Sequence, residues 1–285
     1  MDIQFLSLTH KETIGHRLKA LACPISEYSF ANLYLFREAH HYEVVFDKEV
    51  FIRGVTYDRH RYLMPTFDVA TADIDYLISM MQDVGFLFPI DESKLRVFDP
   101  ERFTFTAKEG DMDYVYTVEK MKTYKGRRLH KKRNLMKQFL ETYSHHEFAL
   151  TQDKIKDALS ILEEWQQDNS LSGAQTDYVP CKEALNLNEE LCLCGIVYYA
   201  NDEPAGFILG EELNSETFVL HFVKAKKRFK GIYQYMYNSF ANLLPVRYKY
   251  LNFEQDLDRE ALRLAKSSYL PDIMLKKYRV SLKRP

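Results

Sequence analysis

The run Cys194-Gly-Ile-Val-Tyr-Tyr-Ala200, Asn201-Asp202, Glu203-Pro-Ala-Gly-Phe-Ile-Leu-Gly-Glu-Glu-Leu213, Asn214-Ser215, Glu216-Thr-Phe-Val-Leu-His-Phe-Val223 divides into three apolar segments at two polar dipeptides. Asn and Asp suit the left-handed backbone of tight turns, so the pattern predicts three antiparallel strands: Cys194–Ala200, Ala205–Leu213 and Thr217–Val223. The chain then runs through Lys224-Ala-Lys-Lys-Arg-Phe-Lys-Gly231 into Ile232, Tyr235, Met236, Ser239, Phe240, Leu243 and Leu244, which share one helical stripe up to Pro245. Three strands feeding a basic turn and a long amphipathic helix predict a mixed α/β domain.

Working outward, Ile155, Ala158, Leu159, Leu162 and Trp165 mark an amphipathic helix upstream, and Cys181–Glu189 a shorter one. Downstream, Tyr248–Phe253 reads as a strand, Arg259–Ser268 as a helix and Met274–Leu282 as a strand. The first half shows much the same order. Thr9 and Glu12 resemble a capping box ahead of Ile14, Leu18 and Leu21, and Ser29–Phe36 forms a second helical segment. Strands are predicted at Glu43–Phe46, Val50–Val55 and Arg61–Phe67, and a helix through Ile74, Leu77, Ile78, Met81 and Val84 is stopped by Gly85. The apolar run Phe86–Pro89 and a strand over Asp113–Met121 complete that half. The shared order points to a duplication and to two domains, 1–123 and 124–285, with a basic helix from about Arg127 at the junction.

A hydrophobic share of 46% with 28% charged residues suits a folded chain with a substantial core, and 20 Tyr and 19 Phe favour strand-rich segments over a bare helical bundle. The net charge of -2 excludes a generally basic nucleic-acid binder, so any polyanion has to meet a local patch. No basic leader and no run of about 18 apolar residues occurs, which predicts a cytoplasmic protein without a membrane span. Cys23, Cys181, Cys192 and Cys194 lack the spacing of a zinc site and read as reduced core thiols.

Four segments carry candidate chemistry. In His221–Tyr233 a strand enters a basic turn at the start of a helix, where unpaired N–H groups and the helix dipole suit a phosphate; Lys224, Lys226, Lys227, Arg228, Lys230 and Gly231 are the candidates. A solvated helix start reads equally simply. A second basic run contributes Arg127, Arg128, His130, Lys131, Lys132 and Arg133, a candidate contact for RNA phosphates or anionic lipid headgroups, or a plain solvated face. In the third, Tyr250–Asp258, Glu254 or Asp256 could hold an incoming amine or accept its proton, or else simply begin the next helix. In the fourth, Lys276 and Lys277 are neighbours on a predicted strand, so one faces inward and one outward, and Tyr278 or Arg279 could assist at an oxyanion. The pairs His40-His41 and His145-His146 have no further ligand at metal-site spacing, so no catalytic metal is expected, and no required cofactor.

Together, Ser29-Phe-Ala-Asn-Leu-Tyr-Leu-Phe-Arg37, the run Lys125–Asn134, Lys230-Gly-Ile-Tyr-Gln234, Leu251-Asn-Phe-Glu-Gln-Asp-Leu257 and Leu275-Lys-Lys-Tyr278 resemble the C-terminal domain family of the phosphatidylglycerol lysyltransferases. The resemblance implies two tandem GNAT-like acyltransferase domains, each with a mixed, mostly antiparallel sheet flanked by helices. It implies acyl or aminoacyl transfer from a phosphate-bearing donor, coenzyme A thioester or aminoacyl-tRNA, to an amine or hydroxyl. On that footing the 224–231 turn with Lys276 or Lys277 would hold donor phosphates, and Glu254, Asp256 and Tyr278 would serve catalysis. The membrane-spanning half of the lipid enzymes is missing from this sequence, so lipid lysylation is not implied. A non-catalytic protein that recognises RNA, nucleotide or anionic lipid on the same scaffold is the other expectation.

Overall fold

The computed structural model describes residues 1–283. Its strands are β1 (Asp2–Phe5), β2 (Glu43–Phe46), β3 (Val50–Val55), β4 (Arg61–Pro65), β5 (Phe86–Ile90), β6 (Phe103–Ala107), β7 (Asp113–Thr117), β8 (His145–Ala149), β9 (Cys194–Ala200), β10 (Glu203–Asn214), β11 (Thr217–Ala225), β12 (Tyr250–Asn252), β13 (Ile273–Leu275) and β14 (Tyr278–Leu282). Its α-helices are α1 (Lys11–Leu21), α2 (Phe30–Leu35), α3 (Arg37–His40), α4 (Ile74–Met80), α5 (Val118–Thr123), α6 (His130–Thr142), α7 (Ile155–Gln167), α8 (Tyr178–Asn186), α9 (Ile232–Leu243) and α10 (Glu260–Ser267).

The chain divides into two compact units. One holds Met1–Tyr114, Glu254–Lys266 and the chain from Ile273 onward; the other holds Val115–Phe253 and Ser267–Asp272. A single boundary at 123/124 was expected; the first crossing instead falls at 114/115, and the C-terminal segments are interleaved between the units.

In the first unit the sheet order is β1-β2-β3-β4-β5-β14-β6. Every neighbouring pair is antiparallel except β4 with β5, which pair in parallel at Tyr62–Phe86 and Leu63–Leu87. In the second unit the order from β7 outward is β7-β12-β11-β10-β9-β8, and the one parallel pair is β11 with β12. The two ladders therefore repeat one another: four antiparallel strands, a fifth in parallel, then an antiparallel sixth. In each unit that sixth strand comes from the other half of the sequence, β14 for the first and residues 115–117 of β7 for the second. Val280 of β14 is fully buried with Val45, Phe51, Leu63, Leu77, Leu87 and Phe103, so the last described strand completes the core of the first unit.

Several boundaries differ from the sequence expectation for local reasons. The strand expected over Asp113–Met121 ends at Thr117, whose hydroxyl accepts from the N–H of Lys120 and caps α5. Strands β1, β6 and β8 were not anticipated; β1 is exposed throughout and β8 opens on His145-His-Glu147, so neither shows the apolar alternation of a half-buried strand. The strand expected over Met274–Leu282 breaks at Lys276-Lys277 into β13 and β14. Cys181 is a buried core thiol as expected, but Cys192 and Cys194 are exposed, Cys192 in a turn with φ 55° and Cys194 at the open end of β9.

Candidate functional site

In the first unit, α2 is buried along its whole length, and its N-cap Ser29 accepts from the Asn32 N–H at 3.0 Å. This fixes Asn32, itself 4% exposed, so that its Nδ2 donates to Glu254 Oε1 at 2.9 Å. Glu254 has φ 58°, a left-handed conformation disfavoured for a residue with a Cβ, and it remains partly exposed. Its backbone carbonyl and that of Gln255 accept from Lys266 Nζ at 3.2 and 2.5 Å. Burial lowers the Lys266 ammonium to about 8 despite the nearby carboxylates of Glu254, Asp113 and Asp256.

The Gln255 side chain joins this turn to a buried ionic cluster. Lys277 Nζ lies 2.9 Å from Gln255 Oε1, 2.5 Å from Glu27 Oε2 and 2.6 Å from Asp113 Oδ1. Ser26 gives its N–H and Oγ–H to the two oxygens of Asp113 at 2.8 and 2.9 Å. Burial alone would lower Lys277, but Asp113 and Glu27 outweigh it and keep the ammonium charged. Glu27 is pushed by burial up to about 7 against the pull of Lys277, because one ammonium cannot compensate two buried carboxylates. Three acidic side chains, Glu27, Asp113 and Glu254, and two lysines, Lys266 and Lys277, thus gather around the Gln255 turn as an acid-rich cluster.

The other predicted residues of this unit have structural partners. Asp256 accepts from Tyr114 Oη at 2.7 Å, Arg263 Nε at 2.8 Å and the Asp258 N–H at 2.8 Å. Burial would raise this carboxyl, yet Arg263, Tyr114 and that N–H together hold it below its ordinary value. Tyr278 donates to Glu92 at 2.8 Å, and Lys276 is exposed, 4.0 Å from Glu92. Arg279 forks onto Asp111 at 2.8 and 3.0 Å and reaches Asp58 at 2.8 Å. The structure therefore joins Glu254 and Lys277 through Gln255, while Asp256 has its oxygens taken up and Tyr278 and Lys276 turn to Glu92.

In the second unit the two basic runs have opposite character. Lys224 is buried, donates to both Asp177 oxygens at 2.6 and 2.7 Å and lies 3.7 Å from the Trp165 ring. Lys226 pairs with Glu164 at 3.3 Å, Arg228 with Glu164 and with Glu203 at 2.6 Å, and Lys227 Nζ donates to the Asp168 carbonyl at 2.9 Å. Lys227 and Lys230 of the turn are exposed and have no carboxylate partner among the described residues. Gly231 caps α9 at φ 90°, where a Cβ would lie 2.1 Å from the Leu135 carbonyl oxygen. On the other run, Lys132 reaches Ser268 at 2.6 Å and the Tyr269 ring at 3.8 Å, and Arg133 donates to the carbonyls of Tyr124 and Gly126. His130 Nδ1 lies 2.7 Å from the Arg127 carbonyl oxygen. Arg127, Arg128 and Lys131, with Lys125, are exposed and have no carboxylate partner among the described residues.

The family model of the phosphatidylglycerol lysyltransferase C-terminal region matches residues 19–281. The chain belongs to that family. A conserved protein of unknown function from Bacteroides thetaiotaomicron is similar over 99% of this chain and 100% of its own, at 28% identity and TM-score 0.85. L-PGS from Bacillus licheniformis is similar over 92% of this chain and 93% of its own, at 13% identity and TM-score 0.57. FemX covers 99% of this chain and 98% of its own, at 10% identity and TM-score 0.58. At such identities the last two likenesses are of fold, and the fold is the tandem GNAT-like one. No curated protein sequence matches. Among the described residues no helix is long and apolar enough to cross a membrane.

Within this family fold, sequence reading missed Ser26, Glu27, Asn32, Asp113 and Lys266, all of which build the cluster around Glu254 and Lys277. Asp113 was legible only as the start of an expected strand. The one local signal was Asn32, a polar residue within the apolar run Phe30–Phe36.

Proposed function

We infer that the chain transfers an aminoacyl group from an aminoacyl-tRNA to an amine or hydroxyl acceptor. The observation that carries this reading is the unequal pairing of the two basic runs. Cations already neutralised by carboxylates contribute little to a pyrophosphate, and three of the 224–230 cations are so committed. The exposed group Lys125, Arg127, Arg128 and Lys131 keeps its field and suits an extended phosphate backbone. The activity for which the family is named, lysyl transfer, supports the reaction class. Glu254, fixed by Asn32 in an acid-rich site, is the group that holds and orients an amine. In the reaction the acceptor N or O bonds to the ester carbonyl carbon, the ester C–O bond breaks, and the acceptor's proton ends on the released ribose oxygen.

The test is equilibrium binding of lysyl-tRNA, alanyl-tRNA and coenzyme A across a salt series. Binding of an aminoacyl-tRNA that weakens about 10-fold or more in Arg127→Glu/Arg128→Glu/Lys131→Glu is expected, with a reduced salt slope. Coenzyme A binding that disappears in Lys227→Ala/Arg228→Ala/Lys230→Ala would overturn the donor assignment. A protein that binds RNA without catalysis would show the same binding and no effect of Glu254→Gln on any turnover.

A further inference from the structure

Helix α10 follows the Glu254 turn directly and is held to it by charge rather than by a packed apolar face. None of its residues is buried: Leu262 and Leu264 are 38% and 65% exposed, and only Arg263 and Lys266 are half-buried. Three positions apart, these two share one side of the helix, and both reach back along the turn. Arg263 forks onto Asp256 at 2.8 and 3.1 Å and reaches Asp258 at 2.6 Å. Almost one turn further on, Lys266 Nζ donates to the Gln255 and Glu254 carbonyls at 2.5 and 3.2 Å. The chain enters α10 through two successive left-handed residues, Leu257 at φ 55° and Asp258 at φ 57°, and has another beyond it, Leu270 at φ 58°. At such positions a small rearrangement absorbs a backbone rotation.

The two tethers are unequal. Arg263 gives charge-assisted hydrogen bonds to carboxylates, of which Asp256 is wholly buried. Lys266 gives its ammonium to backbone carbonyls, in a place where lost hydration disfavours the charge. Eight residues are too few for a helix to persist in water on its own, so α10 stays folded only while tethered. Its C-terminal half is therefore the part that opens most readily. We propose that α10 is a lid on the Glu254 turn, pivoting at Arg263 and latched by Lys266, and that a primary ammonium group entering the acidic cluster releases the latch by taking the two carbonyls. This rests on the amine-holding role of Glu254 inferred above. In the closed form the Lys266 ammonium occupies the place that the amine takes in the open one.

The experiment is hydrogen exchange of the intact chain at constant ionic strength, read at residues 264–267 with α9 as reference. In wild type the α10 amides are expected to exchange about 100-fold or more faster than those of α9. With n-butylamine or alaninamide they are expected to exchange about 3-fold or more faster again than with KCl. A response to n-butylamine alone assigns the vacated carbonyls to an alkylamine acceptor, and a response to alaninamide alone assigns them to the α-amino group of the donor. Lys266→Ala keeps helix propensity and is expected to raise α10 exchange about 10-fold without amine and to remove most of the amine response. Protection of α10 equal to that of α9, or exchange indifferent to both amines, would overturn the lid. Aminoacyl release that depends on Glu254 would survive that result. Amine-driven opening without release from lysyl-tRNA or alanyl-tRNA would instead keep the lid and overturn the transferase reading.

Discussion

Lys277 is the cation on which two buried carboxylates depend, and removing it leaves both uncompensated. Lys277→Met is expected to destabilise the fold by about 3–5 kcal/mol, read as a lower urea midpoint at unchanged slope. Lys266 behaves in the opposite sense. Its ammonium is lowered by burial from 10.5 to about 8, so between those values the unfolded chain binds more protons than the folded one. Stability then rises with pH across that window, and below about pH 8 the cost of burying the charge is present in full. Thermal midpoints between pH 7 and 10 are expected to climb more in wild type than in Lys266→Met; equal slopes would assign the effect to another group. These residues also mark the limit of the sequence. Glu254 and Lys277 stand in short recognisable motifs, whereas Glu27 and Asp113 acquire meaning only when distant segments converge on one ammonium.

The elements were largely legible where a stripe or an alternation is strong: β9 to β11 and α9 follow directly from turn dipeptides and helical spacing. Legibility failed where an element is held by its neighbours rather than by its own pattern. The exposed β1 is one case, and β14 is another, cut from β13 at the residue that turns inward to the buried acids. The basic turn before α9 shows the same limit, since its charges were visible but the carboxylates of Glu164, Asp177 and Glu203 that neutralise them were not. Gly231 links that turn to α6 through a positive φ and a close carbonyl. Gly231→Ala is expected to cost more than about 1 kcal/mol, because both backbone conformation and contact oppose a Cβ. A thermal midpoint within one degree or so of wild type would show that the turn relaxes freely.

At the scale of the whole chain, each unit's sheet takes one strand from the other half of the sequence, so neither half carries a complete ladder. A chain truncated before Tyr278 leaves β5 and β6 without the strand between them and opens the core at Val280. It is expected to lose cooperative unfolding of the first unit, seen as hydrogen exchange across β3 to β6, while β9 to β11 stay protected. Function depends on whether this scaffold moves an aminoacyl group. The decisive measurement is single-turnover release from lysyl-tRNA and alanyl-tRNA by wild type and by Glu254→Gln, with donor affinity measured alongside. Release accelerated by wild type and reduced about 100-fold or more in Glu254→Gln, at unchanged donor affinity, is the expected result. Equal release by the two proteins, or none by either, would contradict it.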